Sequence, residues 1–331
     1  MEEERSVVNP QVPPKQSVLL NLPRLHLLEV NDQKGSVAHD YLPQDPSYRQ
    51  GFTNFLQWWP DLLRAKVQDA LTLAWINKFP ILQPSAPCDL VARVIPRVLK
   101  DRVSRYVYVD FASGAGGPTP YIEKQLNAQL AQEGKKEVGF VLSDISPHIQ
   151  AWQAASKKSE NLHYIAGSVD ASAAPSKDKV LEGVTDTEGR GVMRLFSLAF
   201  HHFDDDLAKK ILKNTVETSD GFCIFELQQR NYSSLLTVFC LWPMLMLMAP
   251  FYYLHDPVYM FFTYLVPLIP GNVQFDGLIS MLRTRTPREV YELLQSQVPE
   301  DELPKWKFLH GQEMHTWPFG WLSWIICYKD D

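Results

Sequence analysis

Hydrophobic and polar positions change period several times along the chain, and each change predicts an element. The sharpest change falls between Tyr106 and Tyr121. Val107, Val109 and Phe111 are β-branched or aromatic, which predicts a short buried strand carrying Asp110 near its end. Ser113, Gly114, Ala115, Gly116 and Gly117 then break the pattern, and Pro118 suits the first turn of a helix. Tyr121, Ile122, Gln125 and Leu126 recur at helical spacing. Strand, glycine turn and helix N-terminus together form the unit that cradles nucleotide-like ligands in doubly wound folds. The alternative is a strand-to-helix turn whose glycines serve geometry alone.

Upstream, residues 1–45 are rich in Pro, Gln and Asn and read as an extended arm. A helix is predicted from Asp45-Pro46 through Tyr48, Phe52, Phe55, Leu56 and Trp59, stopped at Pro60. A second runs from Asp61 to about Asn77, with Leu62, Leu63, Val67, Ala70, Leu71 and Ala74 on one face. A third spans Cys88 to Lys100. These helices read either as a cap over the ligand pocket or as core.

Downstream the alternation of strand and helix persists. Glu137 to Asp144 is a second strand ending in an acid, and Ser146 and Pro147 offer an N-cap and first turn. Asn161–Ile165, Gly191–Leu198 and Gly221–Glu226 are three further strands. Between the last two, Ala208, Ile211, Leu212 and Val216 mark a helix. Polar residues cluster at the strands' C-terminal ends, as expected of one parallel sheet. The period then fails, because Leu235 to Tyr253 carries no charged residue. That length is close to the roughly twenty residues a membrane span needs. Pro243, Pro250 and the position inside an enzyme-like fold favour a membrane-surface insertion or a lid over 235–270, with a buried core hairpin or a single span through 235–253 as the other readings. Thr286, Pro287 and Glu289 form a capping box for a helix that turns Val290, Leu293 and Leu294 inward. Lys305–His310 and Trp321–Lys329 read as a closing strand hairpin.

Composition narrows the function. The chain of 331 residues has a formal net charge of -6 and no run of Lys or Arg, so a nucleic-acid partner is not expected. Cys88, Cys223, Cys240 and Cys327 are far apart, which predicts a reduced interior and no metal site. The acidic N-terminus lacks the apolar run of a signal peptide, so a cytoplasmic location, with membrane association through the insertion, is expected. A nicotinamide cofactor is disfavoured, since Thr119 stands where the dinucleotide fingerprint has its third glycine. Asp144 also lies beyond the usual spacing of about twenty residues from that fingerprint.

These residues resemble the class I S-adenosylmethionine-dependent methyltransferases. Asp110-x-Ala112-Ser-Gly114-x-Gly116 is similar to the family's first motif, with alanine where glycine is commoner. The resemblance covers about Tyr106 to Glu226, and the final hairpin more loosely. It implies a Rossmann-like α/β fold: a mostly parallel sheet with a C-terminal antiparallel hairpin, an N-terminal helical cap and an apolar helical insertion. It also implies S-adenosyl-L-methionine as cofactor, held by Asp110, Ser113, Gly114, Ala115, Gly116, Asp144, Ile145, Val169 and Asp170. In this reading Asp144 accepts from the ribose hydroxyls, and Ser168-Val169-Asp170 meets the adenine. The segment from Phe196 to Asp205 looks like the fourth-strand region of small-molecule methyltransferases, and Asp276 to Arg283 resembles an Asp-Gly-x-x-Ser-x-x-Arg group of unsettled activity.

The expected organisation is an arm over 1–45, a helical cap over 46–103, a cofactor-binding core over 104–230, an insertion over 231–274, and a completing helix and hairpin over 275–331. His201 and His202 are candidate bases, because a histidine at a parallel strand's C-terminal end faces the crevice and titrates near neutrality. The other expectation for either is a structural bond to backbone. Asp276 is a further catalytic candidate and Arg283 a substrate-carboxylate or salt-bridge residue, while Glu226 lies within reach of the pocket. The expected reaction is methyl transfer to an apolar acceptor, lipid-like or a secondary metabolite. The alternatives are a cyclisation or isomerisation without methyl transfer, or a non-catalytic membrane-associated scaffold.

Overall fold

The computed structural model describes residues 28–29, 60–78 and 82–330. The predicted helix over Asp45–Trp59, with its aromatic residues, lies outside them.

Eight strands form one sheet in the order β1-β7-β8-β6-β5-β2-β3-β4. They are β1 (Leu28–Glu29), β2 (Tyr106–Phe111), β3 (Phe140–Ser143), β4 (Leu162–Tyr164), β5 (Gly191–Ser197), β6 (Gly221–Glu226), β7 (Trp306–Thr316) and β8 (Gly320–Lys329). The strands β2 to β6 pair in parallel, and β8 enters antiparallel between β6 and β7. Only β8 is reversed; β1 pairs parallel to β7, itself antiparallel to β8.

Strands buried on both faces explain the near-continuous apolar runs. Along β2, Tyr106 and Tyr108 pack on one side of the sheet, with α2 (Pro87–Leu99) and α3 (Thr119–Gln132). Val107, Val109 and Phe111 pack on the other, with α6 (Asp205–Thr218) and α10 (Pro287–Gln295). A third cluster joins Val67 and Ala70 of α1 (Asp61–Ile76) to Leu245 and Ala249 of α7 (Tyr232–Tyr253) and Val273 of α9 (Leu268–Arg283).

Several predicted boundaries move for local reasons. Strand β3 starts three residues late because the Val138 N–H is taken by the Asn127 side chain at 2.8 Å. Pro118 does not open α3, which begins at Thr119, because Gly116 and Gly117 still hold positive φ and Pro118 serves as N-cap. Ser146 and Pro147 do not cap α4 (Ile149–Ser156), since the Ser146 N–H donates to Asp144 Oδ1 at 2.8 Å and keeps that stretch a loop. Strand β7 extends to Thr316, past the predicted His310. The capping box at Thr286 and Glu289 forms as expected.

The apolar run is one helix, α7, continuous through Pro243 and Pro250. Its inward residues Ser234, Val238, Leu245 and Ala249 are buried. Tyr232, Leu236, Phe239, Pro243, Leu247, Phe251 and the following Leu254 all face out, at three- and four-residue spacing and without a charge among them. Among the described residues, α7 is the one helix long and apolar enough by itself to cross a membrane. A bent pair follows: α8 (Pro257–Met260) with its π-helical extension Phe261–Leu265, then α9 at 70° to it.

Candidate functional site

The chain order of the strands reverses between β2 and β5, and crevices at such switch points bind ligands. Two structures lie at the strands' C-terminal ends there: a backbone cradle after β2 and β3, and an apolar cavity beyond β5 and β6.

The cradle is shaped by left-handed backbone. Gly114 has φ +52° and Gly116 φ +107°, conformations that side chains rarely adopt. A Cβ on Gly114 would meet nothing within 4 Å, so that face of the loop is open to a ligand. Asp144 holds the loop from across the crevice: its Oδ2 accepts from the Gly114 N–H at 2.8 Å. Each carboxylate oxygen keeps further accepting capacity. Ser113 Oγ donates to the Ser143 carbonyl at 3.0 Å, and the Ser143 hydroxyl to the Asp110 carbonyl at 2.9 Å. Asp110 is buried and accepts from Thr119 Oγ1 at 2.5 Å; burial pushes its carboxyl up to about 8. Ile145 is exposed beside the crevice, whereas Val169 is buried with its N–H on the Asp144 carbonyl at 2.9 Å. Asp170 turns its carboxylate to Ser172, capping the short turn at Ala171–Ala173. Trp152 was not singled out from the sequence: fully buried, it donates Nε1–H to the Gly114 carbonyl at 2.9 Å. A lone tryptophan on a predicted helix carried no signal of that bond.

The cavity holds about 150 Å³. Its apolar wall comes from Leu71, Trp75, Leu198, Val238, Leu241 and Met244. His201, His202, Asp276 and His315 supply its polar end. The N-terminal helices therefore divide their work: α1 walls this cavity, while α2 sinks mainly into the core.

His201 sits on a tight turn (Phe200–His202) after β5 and is buried beside Glu226, the last residue of β6. Glu226 Oε2 lies 2.8 Å from His201 Nδ1, and Oε1 accepts the His201 backbone N–H at 3.2 Å. With its proton on Nδ1, the imidazole donates to Glu226 and leaves Nε2 free to accept. The His202 ring lies 4.2 Å from that of His201; the residue is exposed and also lines the cavity. The neighbouring His201, burial and the Arg283 guanidinium hold His202 well below the usual imidazole range. Burial raises the Asp276 carboxyl, against the pull of His201 and Arg283. Arg283 donates to the His201 and His202 carbonyls and so grips the backbone of the turn.

His315 was missed in the sequence, lying in a strand run with no motif around it. Its Nδ1 accepts from Thr316 Oγ1 at 2.8 Å, and the Thr316 hydroxyl accepts in turn from Gln83 Nε2 at 2.7 Å. Burial lowers its pKa to about 4, so it lines the cavity as a neutral ring.

A mostly parallel sheet with one reversed strand between β6 and β7, and helices on both faces, is a Rossmann-like α/β fold. No family model and no curated protein matches the sequence. Among solved structures, the chain superposes on a coclaurine N-methyltransferase bound to N-methylheliamine and S-adenosylhomocysteine, at TM-score 0.42 and 11% identity, covering 86% of this chain and 85% of that one. It superposes on the apo S-adenosylmethionine-dependent methyltransferase SibL at TM-score 0.39 and 8% identity, covering 84% and 72%. A cyclopropane-fatty-acyl-phospholipid synthase-like protein from Lactobacillus casei gives TM-score 0.40 and 11% identity, covering 80% and 98%.

Proposed function

We propose that the protein transfers the methyl group of S-adenosylmethionine to a hydroxyl or acidic carbon of an apolar small molecule. The observation that carries this reading is the placement of the His201–Glu226 pair. His201 lines an apolar cavity beyond β5, the strand beside the one that opens the glycine cradle, and Glu226 holds its ring from behind. The cradle suits the nucleoside: the Gly114 face is open, and Asp144 stands across it with accepting capacity to spare. Bound there, the sulfonium supplies an electrophilic methyl. His201 Nε2 takes the acceptor's proton, and Glu226 steadies the imidazolium that forms. Exclusion of water and alignment of the two reactants provide the rest.

The uncharged outer stripe of α7 supports a second element of this reading, peripheral contact with a lipid surface from which an apolar acceptor reaches the cavity. The helix lies along the surface rather than spanning it, because its inner face is committed to α9 and the cavity wall. Asp276 favours one competing chemistry, a proton-shuttling isomerisation, since a raised carboxyl and an imidazole share the cavity.

Calorimetric titration with S-adenosylmethionine, S-adenosylhomocysteine and NADH tests the reading. Both sulfur nucleotides are expected to bind at micromolar concentration and NADH not at all. Asp144→Ala should weaken that binding about tenfold or more, the worth of a charge-assisted hydrogen bond. Absence of binding by either sulfur nucleotide would overturn methyl transfer and leave the isomerisation.

A further inference from the structure

We propose that Arg283 is the positioning residue of the His201–His202 pair, setting from α9 which imidazole nitrogen is free to take a proton. The inference rests on the reading of His201 as proton acceptor. Four successive carbonyls of this turn are held by two arginines. Arg283 Nε donates to His201 O at 2.9 Å and its Nη2 to His202 O at 2.7 Å. Arg285 Nη1 donates to Phe200 O at 3.2 Å and Nη2 to Phe203 O at 2.8 Å. Both side chains are buried. The turn needs such support because Leu198, just before it, holds φ +53° without being glycine.

The division of labour between the arginines is clear in their other contacts. Arg285 pairs with Asp205 at 2.8 Å and lies over the Phe200 ring at 5.4 Å, anchoring the turn to α6. Arg283 grips the two peptide planes that carry the imidazoles. Fixing those planes fixes both Cα–Cβ directions, so His201 meets Glu226 through Nδ1 rather than Nε2. A guanidinium spans two carbonyls as a planar fork, which a lysine ammonium cannot reproduce. The grip also reaches the cavity wall, since Gly277 of α9 packs against Val238 and Leu241 of α7: a Cβ there would stand 3.3 Å from Leu241 and 3.5 Å from Val238. The charged and titratable groups facing the pair are Glu226 from β6, Asp276 and Arg283 from α9, and His315 from β7. Arg285 and Asp205 close the far side of the turn.

The test is imidazole nitrogen NMR on the full-length protein without cofactor, titrated from pH 5 to 9. In the unsubstituted protein, the neutral His201 ring should show one tautomer, with its proton on Nδ1. R283K keeps the charge but not the fork. It should give a mixture of His201 tautomers. R283Q, which loses the charge as well as the fork, should give the same mixture. A folded R283K with the unsubstituted protein's His201 tautomer overturns the proposal. The same spectral change in R285K also overturns it, because the effect would then belong to the turn as a whole. Should R283Q not fold, R283K alone decides. Tautomers are read without methyl transfer, so failure of the nucleotide titration would sink the reaction and leave this result standing.

Discussion

The two halves of the site are built in opposite ways. The cradle after β2 and β3 is mostly backbone: left-handed glycines and peptide N–H groups, braced by Asp144 and Trp152 from within about forty residues of sequence. The cavity is walled by side chains from α1, α7, α9, β7 and the turns that follow β5 and β6. A backbone cradle recognises what a nucleotide-like ligand always presents, hydroxyls and polar ring edges. A side-chain cavity is free to vary with its acceptor. On the proposed function, this difference makes ligand and acceptor specificity separable, and each half should be open to disabling without the other.

The largest effect is expected from the second half. His201→Gln keeps a donor for Glu226 but removes the proton acceptor, and the methyl-transfer rate should fall about a thousandfold. Calorimetry should find nucleotide affinity unchanged. A parallel loss of affinity would mean that the halves are one site. Next in size is the outer stripe of α7. Leu247→Lys with Phe251→Lys removes two exposed apolar side chains, each worth about 1.5–3 kcal/mol if buried in lipid. Sedimentation with phosphatidylcholine vesicles should drop about a hundredfold in partition coefficient, while thermal stability holds. Equal sedimentation of variant and parent would remove lipid from the account of this half.

The remaining test falls in the first half and reads stability instead of rate or partition. Burial lifts Asp110 from the ordinary 3.8 to about 8, so the folded protein holds this proton where the unfolded chain releases it. The contribution is therefore fully present at low pH and is lost as pH climbs from about 4 to about 8, levelling above that. Asp110→Asn keeps an acceptor for Thr119 and cannot ionise. Melting temperatures across this range should fall less steeply with pH in the variant, which should be the more stable near pH 8. Identical slopes would show that Asp110 titrates as an ordinary carboxyl.

Much of the architecture was written in local pattern. The alternation over Tyr106–Phe111, the glycines after it and the capping box at Thr286 each predicted their element, because strand burial, positive φ and helix capping are short-range demands. Boundaries failed where a side chain took a backbone N–H that the pattern leaves to a strand or a cap, as Asn127 does at Val138 and Asp144, two residues away, at Ser146. His201 and Glu226 were each visible as residues at strand ends, but their pairing was not, since it depends on β5 and β6 lying side by side. His315 was invisible for the same reason, some 88 positions from the Leu227 carbonyl it approaches.

The sequence alone therefore determined the strand-turn-helix cradle, whose geometry is a property of consecutive residues. It also determined that one stretch would be long, apolar and uncharged. Only the tertiary structure decided which face of that stretch is inward, how distant chain segments enclose a cavity, and which imidazole nitrogen faces a carboxylate. Those outcomes depend on contacts between residues far apart in the chain, where no local period records the partner.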